Sequence, residues 1–522
     1  MSDSAPKPMG LAAQAAQNFR DLFRWQQRVT IIDENGQERE EWQSPEMPKN
    51  PIKLLRMLSA TNWLYYLVGL AAWTVDGYDF HSVSISLTRL SAFYGVSKTQ
   101  VSTAITLTLL LRSIGAALFG VAGDYWGRKW PMVINMFIIG ALQVGTVYAR
   151  TFNEFLAVRA LFGIGMGGIW GGAVSMALEN VPTEARGLLS GVLQQGYSLG
   201  YVFAALFNLT LAPKGGKHGF RTLFWIGAGA SFFVGVVRAL FPESKQFLDA
   251  KKQNGRGGGV RAFRSQVGTV FRTQWKMMVY CCVLMALFNY FSHTTQDNYA
   301  VFIEVGMGYT KNQSSLAGIL MKTGACVGGT IIGYISQFFG RRRTIVLAAV
   351  MSGLLIPAWI LPKSLGGLMA GGFMLQFFVQ GAWGVIPVHL NELSPPAFRA
   401  SFPGIAYQIG NMISSPSAQI VTAISESHYY TNPNGKRTQA FGPTMAIATA
   451  IIALGIAVWV ALGTERKGSH FEAVSAATAA VDGPVPHHKN LSDDLETGSY
   501  DEKNSKTEVS GPQVHTVTKD AH

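Results

Sequence analysis

Two short stretches, GVAGDYWGRK at residues 120–129 and GYISQFFGRR at residues 333–342, decide the fold. They lie 213 residues apart, Gly120 against Gly333. The same offset sets Gly127 on Gly340, Arg128 on Arg341, Trp170-Gly171 on Trp383-Gly384 and Glu179 on Glu392. It continues through Pro182 and Pro395, Arg186 and Arg399, Gly191 and Gly404, and Gln195 and Gln408. Chance does not hold one register over about seventy residues, so the chain is an internal repeat of two like halves.

What each half contains follows from hydropathy. The 522 residues are 48% hydrophobic and 14% charged, with a mean hydropathy of +0.20. A soluble protein carries about 25% charged residues. Stretches of about 20 apolar residues, each able to cross a ~30 Å hydrocarbon core, recur along the chain. Twelve are expected, at 62–90, 98–122, 131–150, 154–179, 188–212, 220–241, 277–304, 313–336, 343–362, 366–392, 402–425 and 441–463. The fold class predicted is therefore an all-α membrane protein of twelve transmembrane helices in two six-helix repeats. The expected organisation is an N-terminal region 1–61, a first half 62–241, a linker 242–276, a second half 277–463 and a tail 464–522.

The net charge of +13 is explained by topology rather than by nucleic acid. Arg128 and Lys129, Arg341, Arg342 and Arg343, and the basic run of the linker (Lys245, Lys251, Lys252, Arg256, Arg261, Arg264, Arg272 and Lys276) all fall on one side of a twelve-helix chain. The positive-inside rule makes that side the cytoplasm and places both termini there. Lys214, Lys217 and Arg221 are a minority on the other side. The first ~55 residues lack a secretory h-region, so helix one is expected to target the chain. The tail is polar and Ser/Thr-rich and reads as disordered, open to regulatory modification. Cys281, Cys282 and Cys326 sit in membrane segments without metal spacing and read as packing residues. No nucleophile–base motif, metal set or nucleotide loop is present, so no enzyme, metal or cofactor is expected.

The repeated motif closely resembles that of the major facilitator superfamily. Gly120-x-x-x-Asp124-x-x-Gly127-Arg128-Lys129 is similar to its signature loop between helices two and three, and Arg159-x-x-x-Gly163 to another of its motifs. Gly127 permits a tight turn, and Asp124 can cap a helix start or pair with a basic partner. The resemblance implies a gate built from Asp124, Arg128, Arg186, Arg341 and Arg399. The second copy carries Gln337 where the first carries Asp124, so the gate is expected to be asymmetric.

Polar residues inside the helices carry the functional argument, because lipid penalises a central charge by roughly 2.5 kcal/mol or more. Arg112 lies about 16 Å from either end of helix two at 1.5 Å per residue. Its planar fork suits a carboxylate. It either binds a substrate carboxylate or pairs with Asp76, Asp79 or Asp297, and the two roles can alternate in one cycle. Asp76 and Asp79 share a face of helix one. Two close carboxylates do not both ionise cheaply, so one is a candidate proton site; the alternative is a polar face satisfied by neighbouring helices. Gly77 between them lets another backbone approach. On helix seven, His293 and Asp297 are four residues apart and form a candidate proton relay. Asn289, Ser292 and Gln296 offer neutral hydrogen bonds along the same stripe. Lys322 on helix eight either partners a carboxylate or snorkels outward. His389 is a gating hydrogen bonder or a packed core histidine, and Trp170 and Trp383 are packing.

The helix-seven run Asn289-x-x-Ser292-His293-x-Thr295-Gln296-Asp297 resembles the pattern of the fungal lactate permease (Jen-type) family of carboxylate/proton symporters. It departs from that pattern at Thr295, where the family has Ser, and at Val301, where it has Thr. The resemblance implies a plasma-membrane symporter that takes up a short carboxylate of the lactate, pyruvate or acetate type with a proton. Substrate would sit on Arg112, Asn289, Ser292 and Gln296, with Asp76, Asp79, His293 and Asp297 serving the proton. The alternatives are a dicarboxylate symporter, favoured if Lys322 faces the cavity as a second cation, and a transporter-like nutrient sensor. The 213 offset sets Asn289 on Asp76 and Ser292 on Asp79, so helices one and seven are counterparts.

Overall fold

The computed structural model describes residues 10–32, 38–45, 47–243, 248, 259–395 and 398–466. Lys245, Lys251, Lys252 and Arg256 of the linker, and the tail from residue 467, lie outside them. Twelve long helical segments follow one another: α1 (Ala60–Ile85), α2 (Lys98–Trp126), α3 (Lys129–Tyr148), α4 (Phe152–Gly167 and Ile169–Glu179), α5 (Arg186–Gln194 and Gly196–Thr210), α6 (Gly219–Leu240), α7 (Gly259–Gln296), α8 (Lys311–Phe339), α9 (Arg341–Ile360), α10 (Leu365–Leu393), α11 (Ser401–Ser414 and Ser417–Ser427) and α12 (Phe441–Leu462).

Among the described residues, nine of these segments are long and apolar enough to cross a membrane on those grounds alone. The other three are α1, which carries Asp76, Asp79 and His81, and the interrupted α5 and α11. The interruptions were not expected, nor was the start of α7 at Gly259, well before residue 277. The extra turns of α7 are polar, so hydropathy does not register them.

The repeat is visible in local chemistry. Ser97 opens α2 with a capping box to Gln100, and Thr310 opens α8 with one to Gln313, at the same 213 offset. Each box satisfies helix-start N–H groups that would otherwise lack partners. Gly127 and Gly340 turn the chain between helices at φ 100° and 97°, a backbone that side-chain-bearing residues rarely adopt. Arg128 and Arg341 then pair, each at 3.0 Å, with Glu179 and Glu392 at the ends of α4 and α10. Glu243, just past α6, accepts from the Lys129 amide at 2.8 Å, and Glu465, just past α12, accepts from the Arg341 and Arg342 amides at 3.0 and 3.1 Å. A carboxylate at a helix start complements the positive end of its dipole.

The two halves grip each other at the end that carries these loops. Asp124 of α2 accepts from the Ala400 and Ser401 amides at 3.1 and 3.0 Å, capping α11 of the other half. It also faces Arg128 at 3.6 Å, so it caps a helix and meets a cation at once. The Gly187 amide donates to Gln337 at 3.2 Å, and the Ser190 hydroxyl donates to the Gly384 carbonyl at 2.8 Å. Toward the other end, cross-half hydrogen bonds among the described residues thin to Ser113–Met412 at 3.7 Å and Gln419–Thr106 at 3.5 Å. The bundle is thus closed at its motif end.

Asp124→Ala removes two charge-assisted hydrogen bonds from that closure, worth about 1–3 kcal/mol. With the native cysteines replaced and Ser190→Cys as reporter, maleimide labelling is expected to accelerate about tenfold or more in the Asp124→Ala background. An unchanged labelling rate would show that Asp124 does not hold the end shut.

Candidate functional site

Between the halves, above the closed end, lies a group of buried polar side chains. Arg112 Nη2 stands 3.5 Å from Asp76 Oδ2, with side chains 1% and 0% exposed. Of the three acids considered for Arg112, the structure pairs it with Asp76. The pairing is loose. Neither Asp76 oxygen has a hydrogen-bonding partner among the described residues, and Arg112 Nε has none either. Arg112 Nη2 donates to Met166 Sδ at 3.1 Å, and its guanidinium lies 5.2 Å from the Phe80 ring. A buried ion pair supported by so few hydrogen bonds compensates its desolvation poorly and is suited to exchanging partners.

Asp79 has a different environment. It accepts from Gln143 of α3 at 2.9 Å and from Ser231 of α6 at 3.3 Å. Gln143 in turn accepts from Arg159 of α4, which also donates to Thr146. Arg159 is sandwiched by rings, with Phe162 at 4.2 Å and Phe224 at 5.4 Å. Asp79 therefore belongs to a closed network inside the first half, while Asp76 pairs with Arg112 and acts electrostatically on Tyr407 of the second half. The backbone that approaches Gly77 is that of Tyr197 on α5: a Cβ there would stand 2.8 Å from the Tyr197 carbonyl oxygen.

On α7 the polar stripe divides along its length. Asn289 turns back on its own helix, donating to the Met285 carbonyl at 2.8 Å. Gln296 Nε2 donates to Ser292 Oγ and to Gln376 Oε1 of α10, both at 3.0 Å, and Gln296 Oε1 accepts from Lys322 of α8. Gln380, one turn beyond Gln376, donates to Ser292 at 3.3 Å. His293 Nδ1 meets Asp297 Oδ2 at 2.9 Å; His293 is 17% exposed, and Asp297, 39% exposed, is the most open member of the stripe. They stand at the outer edge of the site rather than at its centre.

Sequence reading missed the rings that join the two sides. Tyr197 packs on Trp73 at 5.2 Å and on His81 at 4.8 Å, and His81 meets Tyr201 at 5.0 Å. The buried His81 Nε2 has no hydrogen-bonding partner among the described residues. Tyr407 stacks on Trp170 at 4.5 Å and 9° and meets Trp383 edge-on at 5.8 Å. The two repeat-related tryptophans, expected to be packing, thus both pack on one ring of the second half, Tyr407. A signal for Gln376 and Gln380 was available: two glutamines four apart in the apolar run FMLQFFVQGAW share a helix face. His389 is fully buried, and neither ring nitrogen has a hydrogen-bonding partner among the described residues. Arg186 and Arg399 are buried near the closed end, Arg186 donating to the Val181 carbonyl at 3.1 Å. The three cysteines are free thiols.

The Major Facilitator Superfamily profile matches residues 63–321, and a profile described as sugar (and other) transporter matches residues 276–462. The proton:xylose symporter XylE of E. coli, bound to 6-bromo-6-deoxy-D-glucose, superposes with a TM-score of 0.62. The superposition covers 79% of this chain and 98% of XylE at 17% identity. The chain is a membrane transporter of the major facilitator fold. It is a carrier and not an enzyme. It is 33% identical over 395 residues to the carboxylic acid transporter protein homolog of Saccharomyces cerevisiae, covering 73% of this chain and spanning 64% of the yeast protein. It is also 24% identical over 426 residues to the probable 4-methylmuconolactone transporter of Cupriavidus pinatubonensis, covering 80% of this chain and 93% of that one.

Proposed function

We propose that this transporter is a proton-coupled symporter of small organic carboxylates, working at the plasma membrane with its motif end and both termini in the cytoplasm. The observation that carries the reading is the Arg112–Asp76 pair: a fully buried guanidinium held by one carboxylate at 3.5 Å, with that carboxylate otherwise unbonded. A substrate carboxylate competes with Asp76 for the fork of Arg112 and, forming two parallel hydrogen bonds, wins it. Asp76 is then a buried carboxylate without a counter-charge, and taking a proton relieves it. Substrate and proton therefore enter together. With both bound, Arg112, Asp76 and the substrate together carry no net charge, and Arg112 and Asp76 carry none once they have paired again. Either state lets the halves rock about the site, whereas a site holding one without the other resists burial. The likeness to the yeast carboxylic acid transporter homolog supports the substrate class. The helix-seven pattern supports a lactate-type acid as the first to try.

The experiment is to add lactate to weakly buffered cells expressing the protein and to follow the external pH. Alkalinisation that tracks labelled uptake is the expected result. Entry of lactate without proton movement would sink the coupling, and a conformational response with no uptake would make the protein a sensor. Asp76→Asn is expected to retain exchange of labelled for unlabelled substrate but to lose accumulation driven by a pH gradient, up to about tenfold at one pH unit. Accumulation at the native level would free Asp76 from the proton role.

A further inference from the structure

Lys322 is a buried cation that this mechanism does not use. It lies about 16 Å from the start of α8 and about 25 Å from its end at 1.5 Å per residue, too deep to reach either interface. It is 5% exposed. Its ammonium donates to Gln296 Oε1 and rests 5.2 Å from the ring of Tyr201, which belongs to the opposite half. Among the described residues no carboxylate oxygen stands within 4.0 Å of it. Asp297 acts on it electrostatically but is itself engaged by His293 at 2.9 Å.

The surroundings fix how Lys322 is held. Both acceptors of the Gln296 amide group, Ser292 and Gln376, are in place, which turns the Gln296 carbonyl oxygen toward the lysine. An ammonium has three N–H donors, and Gln296 takes one. No other hydrogen bond of the ammonium is present among the described residues, and Tyr201 of the opposite half stands against it. From there a continuous row of rings leads to the other cation: Tyr201 meets His81 at 5.0 Å, His81 meets Phe80 at 5.3 Å, and Phe80 lies 5.2 Å from the guanidinium of Arg112. Two buried cations, one from each half, thus stand at the two ends of one row of rings.

Resting on the carboxylate symport reading above, we propose that Lys322 is a second anion anchor and that the site takes short dicarboxylates, one carboxylate on Arg112 and the other on Lys322. A substrate with one carboxylate leaves Lys322 without a counter-ion when the site closes. A dianion satisfies both cations and draws the halves together, because each half holds one of them. Burying an unpaired ammonium is costly, so the second carboxylate contributes to closure as well as to binding.

The test measures labelled succinate and labelled lactate uptake side by side in cells with verified surface expression. The native protein is expected to take up both, with a higher kcat/KM for succinate. Lys322→Gln is expected to lower the succinate-to-lactate ratio of kcat/KM about tenfold, and Lys322→Arg to restore most of it. An unchanged ratio in Lys322→Gln overturns the proposal, as does a native protein that carries lactate and excludes succinate. A native protein that carries neither acid overturns the carboxylate reading itself, and this proposal with it. The ratio separates specificity from misfolding, since a damaged carrier loses both substrates alike.

Discussion

Arg112→Lys is expected to lower carboxylate uptake about a hundredfold or more while the protein still reaches the membrane, because breaking a buried charge-assisted pair costs about 2–5 kcal/mol. Lysine keeps the charge, so the loss reports geometry. The guanidinium presents a planar fork to two carboxylate oxygens at once, and a single ammonium cannot. Position matters equally. Arg112 is held by Met166 Sδ at 3.1 Å and lies against Phe80, contacts that fix the orientation of its fork. The shorter lysine would reach Asp76, its own half's acid, more readily than a substrate. Labelled uptake, surface biotinylation and substrate binding to the purified protein should be measured together. Full uptake by Arg112→Lys would assign Arg112 a structural pair with Asp76 and remove it from substrate recognition.

The contrast between Asp76 and Asp79 shows where sequence reading stops. Two residues three apart share a face of a helix, and that much was legible. They still diverge by about 60° around the axis, which at an interface between halves is enough to send one side chain each way. Which one faces the gap depends on the rotation of α1, set by its packing on α4, α5 and α6. Gln143 and Ser231 donate to Asp79 from two other helices, Arg159 of a third holds Gln143, and no local pattern announces that meeting. The repeat, by contrast, was fully legible, because it is written as identical residues at one offset. The capping boxes at Ser97 and Thr310 and the turns at Gly127 and Gly340 follow that offset in the structure. The aromatic row from Phe80 to Tyr201 was hidden for a different reason. Rings are common in apolar helices, so only their convergence marks them, and convergence is a property of the bundle.

Locking the gate gives the second large effect. At the closed end Gly333 of α8 lies against Gly191 and Gly187 of α5: a Cβ on Gly333 would stand 2.7 Å from Gly191 Cα and 2.9 Å from the Gly187 carbonyl oxygen. These are backbone atoms of another helix and cannot yield as a flexible side chain would. Gly333→Leu should therefore exclude the closed arrangement, since even modest overpacking costs about 1–3 kcal/mol and a leucine here meets backbone on two sides. When the halves part at this end, position 333 faces the opening, where a leucine is tolerated. The variant is expected to fold and to bind substrate in detergent, yet to lose uptake about a hundredfold, since alternating access needs both arrangements. With Ser190→Cys as reporter, its motif end should label as fast as an exposed thiol. Uptake near the native level, or a reporter as protected as in the native protein, would mean that the α5–α8 contact is packing that survives the whole cycle. The same comparison fixes the energetic order of the closure. Asp124→Ala removes an attraction and leaves the closed state accessible, whereas Gly333→Leu adds a repulsion the closed state cannot absorb. The first is expected to slow the cycle and the second to stop it.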